Sequence, residues 1–161
     1  MAELHPDVAA LAPLLGVWAG QGVGEYPTID AFEYVEEVTF DHVGKPFLRY
    51  TQKTSAVVDG RLLHAETGYL RAPSVGRVEF VLAHPTGVTE IEEGTLSGRG
   101  GTLEVTLAAT AIGRTASAKE VTALTRSLRV DGDQMTYTVS MGAVGQPLQQ
   151  HLTATLQRKQ A

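Results

Sequence analysis

The sequence predicts an all-β protein, an up-and-down antiparallel barrel of about ten strands with a short N-terminal helical turn. Three observations carry this. From Gly16 onward, apolar and polar residues alternate with the period of two that a half-buried strand requires. Turn signals such as Asp59-Gly60, His84-Pro85-Thr86-Gly87 and Asp131-Gly132-Asp133 interrupt the alternation at short intervals. So many short strands in 161 residues must close or curl, because closure removes sticky edges. A barrel of this size leaves room for a small ligand.

The segment His5 to Leu15 is the helical candidate. Leu4, Val8, Leu11, Leu14 and Leu15 recur at roughly helical spacing, and Pro13 limits the run to one or two turns, 3₁₀ in character or an ordered loop. Asp7 is placed to cap it, and its job would be to cover one end of the barrel. The first strand runs from Gly16 to Tyr26. In the second, Phe32, Tyr34, Glu36, Val38 and Phe40 share one face. Strands follow over Phe47–Val57, Arg61–Leu70, Arg77–Ala83, Val88–Ser97 and Thr102–Ala109. Ala111 to Ala118 is rich in small residues and reads as a loop. Strands over Lys119–Val130, Met135–Met141 and Pro147–Gln157 complete the chain. No second domain or repeat is visible, so residues 1–161 are expected to form one domain.

Composition excludes several classes. Hydrophobic residues make up 43% and charged residues 19%, a globular balance. A net charge of −5, with 13 Lys and Arg in no basic run, argues against a nucleic-acid partner. Cys is absent, which removes disulfides and thiolate ligation. No stretch approaches about 20 apolar residues and the N-terminus does not read as a signal peptide. No membrane association and a cytoplasmic home are expected.

The stretch Gly16-Val17-Trp18-Ala19-Gly20-Gln21-Gly22-Val23-Gly24-Glu25-Tyr26-Pro27 organises the rest. Gly20, Gly22 and Gly24 share one strand face with Trp18 and leave it nearly bare, as suits the close approach of a backbone or a flat ligand. Gly20-Gln21-Gly22 imitates a dinucleotide loop, but lacks the preceding strand and following helix that such a loop needs. Pro27 ends the strand.

This stretch, with Leu63-His64-Ala65-Glu66-Thr67-Gly68-Tyr69 and Gln149-Gln150-His151-Leu152, resembles the nitrobindins, small haem-binding β-barrels. The likeness runs from about His5 to Arg158. It implies ferric haem b with His151 as proximal ligand, reaction with nitric oxide and peroxynitrite, and isomerisation of peroxynitrite to nitrate. It implies a distal face formed by Leu63 and His64, with Thr28 lining the pocket after Tyr26-Pro27. Arg126 or Lys119 would meet a haem propionate, since basic side chains match carboxylates. A monomer or homodimer is expected.

The residues alone add a tension. His151 shares its strand phase with Gln149, Thr153 and Thr155, whereas Leu148, Leu152 and Leu156 take the other phase. Periodicity would put the leucines inside, unless a bulge intervenes. His5, His42 and His84 read as surface residues, and the histidines form no His-x-His or His-x-x-x-His pair, which argues against a closed zinc site. Glu36/Glu37 and Glu92/Glu93 read as solvated faces. A hydrolase lacks a Gly-x-Ser-x-Gly elbow. The competing function is a carrier of a fatty acid or other hydrophobic ligand, with Arg126 and Tyr137 as a carboxylate clamp.

Overall fold

The computed structural model describes residues 2–160. A 3₁₀ helix, Pro6–Leu14, leads into ten strands: β1 (Gly16–Tyr26), β2 (Ile29–Asp41), β3 (Leu48–Ala56), β4 (Leu62–Ser74), β5 (Arg77–Ala83), β6 (Val88–Ser97), β7 (Thr102–Arg114), β8 (Val121–Asp131), β9 (Gln134–Ala143) and β10 (Gln149–Arg158). Each pairs antiparallel with its chain neighbours, and β1 pairs with β10 to close the barrel. The expected up-and-down architecture is the observed one.

Antiparallel order puts the β1–β2, β3–β4, β5–β6, β7–β8 and β9–β10 connections at one end. The other end receives the 3₁₀ helix and is closed by it. Val8, Leu11 and Leu14 recur at the three-residue period of a 3₁₀ helix, and all three are fully buried. They meet Trp18, whose indole N–H donates to Leu14 O at 2.8 Å. Arg158 lies over the Trp18 ring at 4.2 Å and donates to Pro13 O and Leu15 O, tying the last strand to the helix. The cap of this helix is His5, whose Nδ1 accepts from the Asp7 N–H, and not Asp7. With Pro6 lacking an N–H, the first donor of the helix belongs to Asp7 itself.

Two further expectations change. Residues 111–114 extend β7, because the start of β6 offers them a ladder that runs to Val88↔Arg114. Small residues weaken a strand but do not forbid one. Lys119 falls outside β8. The bare face of β1 is filled by aromatic rings of the adjacent strand. A Cβ on Gly22 would lie 2.4 Å from Tyr34 Cζ, and one on Gly24 would lie 2.2 Å from Phe32 Cζ. At Gly20 the obstacle is backbone, Thr155 O at 2.1 Å.

Candidate functional site

The barrel encloses a cavity of about 1320 Å³ that opens at the hairpin end. Its inner surface is layered. Next to the plug lie apolar side chains, among them Phe40, Leu48, Leu70, Val78, Val105, Val130 and Leu156. Across the middle runs a belt of buried polar groups: Glu36, Gln52, Glu66, Glu90 and Glu92, with Tyr34, Tyr50, Arg126 and Tyr137. Nearer the opening stand Phe32, Leu63, His64, Leu124, Met141, His151 and Leu152.

The tension over His151 is resolved in β10 itself. On β9, Ser140 and Val139 are adjacent, yet their partners are Gln150 and Leu152. His151 is therefore the extra residue of a β-bulge. The bulge shifts the inward phase by one residue, so His151 and Leu152 both line the cavity while Ala154 and Leu156 stay in the core. The ring of His151 is half-buried and stands edge-on to Tyr26, with centroids 5.4 Å apart. Its Nδ1 is 2.9 Å from Glu25 O. A carbonyl only accepts, so Nδ1 carries the proton and Nε2 of the neutral ring keeps a free lone pair. Tyr26 is fixed in turn by its hydroxyl, which accepts from the Ala143 N–H at 2.8 Å.

That chemistry fits a haem. A neutral imidazole on a strand, oriented by a carbonyl behind it, is what an axial ligand requires. Phe32, Leu63, Leu124, Met141 and Leu152 line the same cavity, an apolar surface that suits a porphyrin.

The other sequence-named residues scatter. Leu63 and His64 line the cavity. Thr28 is exposed in the β1–β2 turn and is not part of the wall. Lys119 is exposed in the connection before β8, at the open end. Arg126 points into the belt, where Nη1 donates to Glu66 Oε1 at 3.0 Å and Nη2 lies 3.4 Å from both Glu90 oxygens. Its Nε is 3.1 Å from Glu92 Oε2. Three carboxylates surround this guanidinium, so it has no charge to spare for a propionate or a fatty acid. Tyr137 likewise donates to Glu36 Oε1 at 2.7 Å. The Arg126–Tyr137 clamp expected of a lipid carrier is already filled by the protein's own acids.

The belt corrects the reading of the carboxylate pairs. Neighbours in a strand do face opposite ways, but Glu36 and Glu92 are the inward members, at 5% and 0% exposure. Burial pushes the Glu36 carboxyl up to about 7, against the donors Tyr137 and Gln52. Burial also raises Glu92, and the neighbouring Glu90 adds to the rise. For Glu66 burial acts upward too, but Arg126, His64, His84 and Tyr50 outweigh it and hold the group far below the usual carboxylate range. Glu90 is lowered as well: burial opposes this, and the bond from His84 and the charge of Arg126 overcome it. The belt thus sorts its acids: Glu66 and Glu90 are held as anions beside Arg126, whereas Glu36 and Glu92 hold their protons more tightly than a free carboxyl. Gln52 Oε1, which has no hydrogen-bond partner, suits a protonated neighbour there once the amide turns.

His84 is the second correction. It sits where β5 ends, but its ring turns inward and is only 11% exposed. Its Nε2 is 2.6 Å from Glu90 Oε2, and its Nδ1 is 3.0 Å from His64 Nε2. No local spacing pairs residues 64 and 84. The barrel does so because β4 and β5 are adjacent strands.

A cavity-bearing β-barrel with an inward histidine, poised to bind a flat hydrophobic cofactor, is the class that fold and site define. The chain belongs to the family of the THAP4-like, heme-binding beta-barrel domain, whose sequence profile matches residues 7–158. It is 67% identical over 158 residues to peroxynitrite isomerase 2 of Mycobacterium ulcerans and 60% identical over 158 residues to peroxynitrite isomerase of Mycobacterium leprae, covering 98% of both chains in each comparison. The crystal structure of Rv2717c from M. tuberculosis superposes with a TM-score of 0.95 at 59% identity, covering 98% of this chain and all of that one. The nitrobindin resemblance and the family are the same.

Proposed function

We propose that this chain is a haem-dependent peroxynitrite isomerase that holds ferric haem b on His151. The observation that carries the proposal is the orientation of His151: its Nδ1 is engaged by Glu25 O, which leaves Nε2 for the iron, and the bulge aims the ring into the cavity. The names of the full-length relatives support the activity. When bound, haem supplies the iron at which the peroxynitrite anion rearranges to nitrate. The isomerisation changes neither the atoms nor the electron count of the anion, so the chain needs no hydride donor and no proton relay to complete it. What it must do is hold the cofactor and keep one face reachable. Leu63 and Leu152, which line the cavity, would supply apolar contacts to the bound cofactor, and His64 would face the reacting side. Lys119, exposed at the open end, would meet a propionate there, as would Arg61 on leaving its exposed ion pair with Asp59.

The test separates the two histidines. His151→Ala abolishes the histidine-ligated Soret spectrum and the isomerase activity, while the apoprotein still folds and loses about 1 kcal/mol of unfolding free energy with the His151–Glu25 hydrogen bond. His64→Ala retains haem and alters ligand on-rates. If His64→Ala loses haem and His151→Ala retains the spectrum, the two faces are reversed. If neither changes haem binding, the reading fails.

A further inference from the structure

The histidine pair at the edge of the belt has the geometry of a second metal centre. His64 Nε2, His84 Nδ1 and Glu66 Oε2 form a triangle with sides of 3.0, 3.2 and 3.5 Å. A tetrahedral zinc ion with arms of about 2.0–2.1 Å sets its ligand atoms about 3.3 Å apart. The three atoms therefore stand where three corners of such a tetrahedron fall, and the fourth corner faces the cavity that all three residues line.

The groups behind the triangle strengthen the case. Glu90 accepts from His84 Nε2–H at 2.6 Å, which leaves Nδ1 of the neutral ring as a lone pair. That lone pair points at a carboxylate oxygen and at a second imidazole nitrogen, an arrangement with more acceptors than protons. Glu66 Oε1, the oxygen outside the triangle, is occupied by Tyr50 O–H at 2.7 Å and Arg126 at 3.0 Å, so the free oxygen is fixed on the triangle's side. A histidine backed by a carboxylate, and a carboxylate backed by donors, are the supports that metal ligands carry. Two anionic carboxylates, Glu66 and Glu90, face one guanidinium here, and a cation among them restores the balance.

We propose that His64, Glu66 and His84 bind one divalent transition ion of the zinc type, on the wall of the cavity and separate from His151. Two imidazoles and one carboxylate with an open position suit borderline ions such as zinc, and exclude calcium and magnesium, which demand an all-oxygen shell. None of its donors is His151, so the site can be titrated in the haem-free chain, although His64 lines the same cavity.

The experiment is equilibrium titration of the full chain, as purified and stripped of metal, with Zn²⁺, and with Co²⁺ as a spectroscopic probe. The expected result is one ion per chain with the visible bands of a four- or five-coordinate Co²⁺. His64→Gln and His84→Gln each weaken binding by more than tenfold, and Glu90→Gln, which removes the support behind His84, weakens it by about tenfold. His151→Ala leaves the metal affinity unchanged while haem is lost, so failure here and failure of the haem reading are told apart. Thermal melts of each variant establish that it is folded; His64, at 32% exposure, is the substitution the barrel tolerates best. A titration unaffected by both His64→Gln and His84→Gln overturns the proposal and leaves a hydrogen-bonded histidine pair only. So does metal binding that disappears with His151→Ala.

Discussion

The plugged end of the barrel buries Val8, Leu11, Leu14 and Trp18 completely, whereas the open end leaves His64 and His151 half-covered and rims them with exposed Ile29, Val58 and Leu62. The same strands supply both. β2 carries Phe40 at one end, Glu36 in the middle and Phe32 at the other; β10 carries Leu156, then Ala154, then His151. The difference lies in what each inward position must satisfy. Apolar contacts at the plug need no partners of a given chemistry, so packing alone holds them. Each group of the belt needs a specific acceptor or donor, and each group at the mouth needs a lone pair left over. Stability is concentrated at one end and chemistry at the other, with the belt between.

Three substitutions sharpen this contrast. The largest effect on stability belongs to Trp18→Ala, which empties the plug and releases the cation stacked on it. A loss of about 3–5 kcal/mol is expected from denaturant unfolding, with haem uptake per folded molecule preserved. Loss of haem binding in the folded fraction would show that the two ends are not independent.

Next is the belt. Glu36 binds its proton more tightly in the folded state than in the unfolded one, with the pKa raised from 4.5 to about 7. Its contribution to stability is therefore fully present below pH 4.5 and is lost as pH rises through about 7. The loss amounts to about 3 kcal/mol across that window. Glu36→Gln keeps a neutral hydrogen-bonding side chain and removes this slope, so unfolding free energies at pH 5 and pH 8 converge in the variant relative to the native chain. Equal slopes in the two proteins would mean that Glu36 is ionised throughout.

The smallest effect is at the face of β1. Gly22→Ala places a Cβ 2.4 Å from Tyr34 Cζ and 2.7 Å from Thr153 O. The ring of Tyr34 must shift, and its hydroxyl, 2.8 Å from that of Tyr137, moves with it. A cost of about 1–3 kcal/mol follows from overpacking, read as a drop in melting temperature. An unchanged melt would show that the ring has slack.

The barrel was legible because its evidence is local: a period of two and Gly-containing turns report on each strand without reference to any other. The 3₁₀ plug was legible from Val8, Leu11 and Leu14 for the same reason. His151 was reached through the resemblance, but its direction was hidden, since one extra residue in β10 reverses the phase and periodicity carries no sign of it. Of the belt, Arg126 and Tyr137 were named as a carboxylate clamp, but the acids they meet were missed. Glutamate at an inward phase looks like solvent exposure until its partner is known, and the partner, Arg126, is 60 residues from Glu66 and 36 from Glu90. A signal was present: Glu36 stands between Tyr34 and Val38 on the apolar phase of β2, and Glu90 shares its phase with Val88. An acid on the core-facing phase of several strands is itself a pattern.

The ladder between β1 and β10 stops at Gly24↔Leu152, two residues short of the end of β1. Beyond that point the two strands are joined by the His151 imidazole reaching Glu25 O, so a side chain takes over where the backbone rungs end. The barrel wall has a seam there, and the ring that sews it is also the ring that offers its other nitrogen to the cavity. The Nδ1 proton is committed to the carbonyl of the neighbouring strand, so the seam depends on the ring keeping that tautomer. One tautomer of one ring thus serves both the continuity of the wall and the inner surface of the cavity.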